Sequence, residues 1–76
     1  MQTLQEIWYA AEESATKGDL KSANFMRLFT LANVLAAAET AILVGDARRA
    51  VANLHELERY TAMTLARLEE SAANET

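Results

Sequence analysis

The sequence predicts an all-α protein in which a short first helix joins two long helices that form an antiparallel hairpin. Three observations carry that expectation. The chain has no Pro and only two Gly, Gly18 and Gly45, so the backbone is invited to leave a helix at just two places. Each Gly precedes an Asp, in Gly18-Asp19-Leu20-Lys21-Ser22-Ala23 and Gly45-Asp46-Ala47-Arg48-Arg49-Ala50, a stop for one helix and a cap for the next. Between these signals apolar residues recur at spacings of three and four. The echoed hexapeptides are recurrent punctuation rather than a solenoid repeat, because the likeness stops after six residues.

Helix 1 is expected over about 4–17, opened by the capping box Thr3-Leu4-Gln5-Glu6. Its stripe is Leu4, Ile7, Trp8, Ala11 and Ala15, with Trp8 in the core and Tyr9 turned outwards near Glu13. Helix 2 is expected over about 20–44 and carries two apolar seams. Leu28, Leu31, Leu35, Ala38 and Ile42 form the seam assigned to helix 3, and Phe25, Phe29, Ala32, Ala36 and Leu43 form a second beside it. Helix 3 is expected over about 47–72, with its seam at Ala47, Ala50, Val51, Leu54, Leu57, Thr61, Leu65 and Leu68, and residues 73–76 as a frayed tail of the single domain 1–76. On this reading Leu35→Asp breaks the core, whereas Leu43→Glu acts on association.

Length then becomes informative. Helices 2 and 3 run to about 25 residues and roughly 38 Å each, against roughly 21 Å for helix 1, so helix 1 covers only part of the groove they make. Ala36, Leu43 and Val44 are left uncovered and are the expected self-association residues. A second copy would complete a four-helix bundle. Small size points the same way: a domain of 76 residues buries only about 60% of its unfolded surface, and with no Cys it has no disulfide or thiolate metal site to compensate.

Composition excludes several function classes. Apolar residues make up 51% of the chain, which is not the composition of a disordered tail. The formal net charge is −4 and the seven Lys and Arg are scattered, so no nucleic-acid partner is expected. The first residues lack the basic stretch and apolar run of a secretory signal, which makes the cytoplasm the expected location. The cation-free stretch 28–44 approaches the length of a membrane span, but Thr30, Asn33, Glu39 and Thr40 interrupt it, so a buried core helix and no membrane are expected.

Few residues carry chemistry. His55 and Glu58 share one side of helix 3, and with Glu39 they could serve a helical metal centre, but the usual Glu-x-x-His order is reversed and position 52 is Ala52. A solvated His is the expected state, with no metal and no cofactor. Glu39 lies between the two apolar seams of helix 2, where a carboxylate either reaches solvent or fixes the register of an assembly. Arg48 and Arg49 sit in the first turn of helix 3, against the helix dipole, so local stability does not account for them. Together with Tyr9, Tyr60, Met63 and Arg67 they are the candidate partner-binding residues, since Tyr, Met and Arg are enriched where proteins meet. No phosphate loop, activated nucleophile or set of converging carboxylates is present in the sequence, so no enzyme is expected.

The function expected is therefore that of a small acidic interaction module, an adaptor or steric inhibitor of a larger bacterial protein, of a kind that phages and plasmids encode. Its partners would be itself and an unidentified protein. A structural subunit whose self-association is the function is the alternative, and a helical metal-binding protein the third.

Overall fold

The computed structural model describes residues 3–75 and is all-helical: α1 spans Leu4–Thr16, α2 Leu20–Leu43 and α3 Ala47–Ala73, with no strand among the described residues. The tail expected to fray is not one unit. Ala73 closes α3, Asn74 caps it, and Thr76 lies outside the described residues.

Each helix starts on an oxygen that accepts one of its free backbone N–H groups. Thr3 Oγ1 accepts from Glu6 at 3.2 Å, Asp19 Oδ1 from Ser22 at 3.1 Å and Asp46 Oδ1 from Arg49 at 3.0 Å. The stops are also alike. Gly18 and Gly45 take φ of +86° and +78°, which lets Gly45 N–H reach Ile42 O at 3.1 Å and Asp46 N–H reach Ala41 O at 2.8 Å. The same pair of bonds joins Gly18 to Ala15 and Asp19 to Ser14, a Schellman ending at both junctions.

Both α1 and α3 pack against α2, one on each side, and meet each other through long side chains. The result is a bent layer whose Cα envelope measures 46 × 26 × 13 Å. Asn24 Nδ2 donates to Ser71 Oγ at 3.1 Å near one end of α2, while Ala38 shares a groove with Ala50 and Leu54 near the other. On the inner side Trp8, Val34 and Tyr60 form the core, backed by Leu4, Leu31 and Leu57. The Trp8 and Tyr60 rings lie 5.5 Å apart at 50°, within the range of a favourable aromatic pair.

The face that α2 turns inwards differs from the expected one. Its buried residues are Ala23, Arg27, Thr30, Val34, Ala38 and Ala41, and of the seam assigned to helix 3 only Ala38 is buried, with Leu31 partly so. Leu35 is 45% exposed and is not a core residue. Apolar residues surround most of α2, so periodicity cannot choose a face; small side chains that allow close approach, and polar partners for Arg27, choose it instead. Helix α3 is turned by roughly a quarter of a revolution from the expected seam. Ala50, Tyr60 and Thr64 are buried, whereas Val51, Leu54 and Leu65 are exposed.

Candidate interaction surface

Three helices are joined on the inner side by a polar chain. Arg27 is 2% exposed; it donates through Nη1 to Asn24 Oδ1 at 2.8 Å and through Nη2 to Glu12 Oε1 at 3.2 Å, with its guanidinium 5.8 Å from the Trp8 ring centre. Glu12 accepts a further bond from Arg67 Nη2 at 3.5 Å, and Arg67 Nη1 donates to Glu70 at 3.2 Å. The bond to Glu70, followed by the charge of Glu12, holds the Arg67 guanidinium above its ordinary pKa. Arg27 Nε and Thr64 Oγ1 are buried without a partner among the described residues. Sequence reasoning passed over Arg27 entirely. The available signal was a cation well inside the most apolar helix, two turns beyond its start, at a position whose charge needs a carboxylate to be buried.

The outer side is the reverse of this. Phe25 (70% exposed), Leu28, Phe29, Leu35, Ile42 and Leu43 (85% exposed) on α2, and Val44 at its C-cap, all face solvent. The surface continues sideways in two open grooves. Ile7 and Ala10 of α1 line one with Phe25, Met26 and Phe29; Ala50 and Leu54 of α3 line the other with Leu35, Ile42 and Leu43. Ala36, Leu43 and Val44 are exposed as part of this face, which extends along the whole of α2 rather than only the end beyond α1. By length and composition α2 could also cross a membrane, and only 28% of its most apolar stretch is buried, so it is not the mostly buried core helix expected.

Among the partner-binding candidates, Tyr9, Tyr60 and Met63 come together around a groove that Gln5, Trp8 and Arg59 complete. Tyr9 is well exposed, with Gln5 Nε2 donating to its hydroxyl at 3.4 Å. Tyr60, a partner-binding candidate by sequence, is not open to solvent as such a residue would be: it is 7% exposed, because its ring packs on Trp8 and only an edge reaches the groove. Arg67 is held in the inner polar chain, away from this groove. Arg48 and Arg49 are exposed at the start of α3 and form no ion pair among the described residues. His55 Nδ1 lies 3.0 Å from Glu58 Oε1 on an open surface. Glu39 does not join them, and no three potential metal ligands converge among the described residues.

These features define an all-helical protein with polar bonds inside and a broad apolar face outside. Compared with protein-family models, curated proteins and solved structures, the chain gives no match.

Proposed function

We propose that this chain is a non-enzymatic protein–protein interaction module, a cytoplasmic adaptor or steric inhibitor of a larger bacterial protein, whose long helices act as an antiparallel hairpin and pair with a second copy as a four-helix bundle. One observation carries the reading. The largest aliphatic and aromatic side chains of α2 point away from the fold. Each would gain about 1.5–3 kcal/mol on full burial, and contiguous apolar faces of this kind mark contact surfaces. With the outer face of α2 taken up by the second copy, the Tyr9 and Met63 groove on α1 and α3 remains for the foreign partner.

The test is solution mass by light scattering over at least a tenfold range of concentration, for the natural chain and for Leu43→Glu. A dimer that Leu43→Glu dissociates without loss of helix is the expected result. A natural chain that stays monomeric, or a mass indifferent to Leu43→Glu, would remove the support for assembly. For the partner, stoichiometric capture from a bacterial lysate should be lost in a Tyr9→Ala, Met63→Ala double variant; capture that survives it would place the contact elsewhere.

A further inference from the structure

We infer that the second copy packs on α2 in one defined register, antiparallel about a two-fold axis at Thr30, fixed at each end of the seam by Lys21 of one copy against Glu39 of the other. The inference rests on the two-copy reading above and adds its geometry. Lys21, Phe25, Leu28, Ala32, Leu35, Glu39 and Ile42 alternate at spacings of four and three along the exposed side of α2, the repeat that lets two helices interlock over many turns. All seven are exposed in the single chain. The only charges in this row are Lys21 and Glu39, and they stand at equal distances from Thr30, on either side of it.

That symmetry decides the orientation. Run antiparallel about Thr30, the seam sets Lys21 across from the partner's Glu39, Phe25 across from the partner's Leu35, and Leu28 across from the partner's Ala32, and the two-fold repeats each pair. Opposite charges meet at both ends, and a large residue meets a small one at the centre. A parallel pair would instead set Lys21 on Lys21 and Glu39 on Glu39, with like charges opposed in the seam.

The exposed row of α3, with Leu54, Thr61 and Leu65, flanks that of α2. The groove shared by Leu35, Ile42 and Leu54 shows that the two rows belong to one face. A lipid occupant fits less well, because Glu39 would enter the hydrocarbon and the acidic chain would meet an anionic leaflet.

Charge reversal tests the register. K21E and E39K, with helicity checked by circular dichroism, should each raise the dimer dissociation constant about tenfold, as expected for two like-charge contacts per dimer. The K21E/E39K double variant, and an equimolar mixture of the two single variants, should recover the natural affinity. Because the chain has no Cys, oxidising a mixture of L28C and A32C chains gives a second reading. The mixed disulfide should dominate, whereas a parallel pair would join like with like. A stable dimer insensitive to both reversals, or one that yields like-with-like disulfides, would overturn the register while leaving self-association intact. A monomer at every concentration, or binding to phosphatidylglycerol vesicles in place of dimerisation, would overturn both.

Discussion

Arg27 and Glu12 are bonded at 3.2 Å across the α1–α2 contact, with the arginine side chain shut off from solvent and the carboxylate partly open to it. Removing only the acid leaves a charge in the core with its Nε already unpartnered, and a buried charge stripped of its counter-ion is more damaging than the pair's own net contribution. Glu12→Ala should therefore lower stability by roughly 1–2 kcal/mol in urea unfolding, below the range for fully buried pairs because solvent screens the exposed side of Glu12. The E12M/R27M double variant should recover much of that loss. If the double variant were worse than the sum of the singles, the pair itself would be the stabilising element.

Neighbouring positions on α2 should behave in opposite ways. Val34 is buried in one cluster with Trp8 and Tyr60, whereas Leu35 lies on the outer face. Val34→Asp buries an unpaired carboxylate and should unfold the chain outright. Leu35→Asp should leave helicity by circular dichroism near the natural value and abolish association. Loss of helix in Leu35→Asp at high dilution would show that the single chain depends on its outer face.

Acid should weaken the start of α2. The backbone N–H of Ser22, and then its hydroxyl, hold the Asp19 carboxyl below its ordinary pKa of 3.8. A group lowered on folding stabilises fully above its unfolded pKa and loses that effect as pH falls through the folded one, so the loss begins near 3.8 and continues below it. Thermal unfolding of Asp19→Asn against pH should show a flatter acid limb than the natural chain. Parallel curves would mean that the cap has no ionic component.

Gly45→Ala should lower stability by about 1 kcal/mol, since an L side chain is strained at positive φ. An added Cβ there would meet no atom within 4 Å, so the loss is one of backbone strain and not of crowding. Asn tolerates this conformation better, and Gly45→Asn should fall between the two in melting temperature.

The helical class and its punctuation were legible because they are local chemistry. Thr3, Asp19 and Asp46 each accept an N–H three residues on, and Gly18 and Gly45 release the chain through positive φ. The buried face of α2 was not legible, because the decision was made by residues distant in sequence. Glu12 of α1 accepts from Arg27, Ser71 of α3 holds the Asn24 that also accepts from it, and Trp8 draws Tyr60 inwards, so a row that looks apolar by type, Leu28 to Leu35 to Ile42, is left outside. Exposure of Leu43 and Val44 was legible from helix lengths alone, since α1 is too short to reach them. The spread of that exposure to Phe25 and Leu28, alongside α1, was not.

A helix that hides Ala, Thr and Arg while displaying Phe, Leu and Ile reverses the usual relation between residue type and tolerance to change. On the outer face of α2 aliphatic side chains of similar volume should be exchangeable, because an intermolecular surface can adjust its distance to its occupant. Arg27, Asn24 and Thr30, which look replaceable by type, hold positions where even a conservative exchange leaves a donor or acceptor dry and unpaired. Variation tolerated by this chain should therefore map onto its greasy residues and spare its hydrophilic ones, a pattern familiar from helices that live in lipid and here displayed by a layer one helix deep.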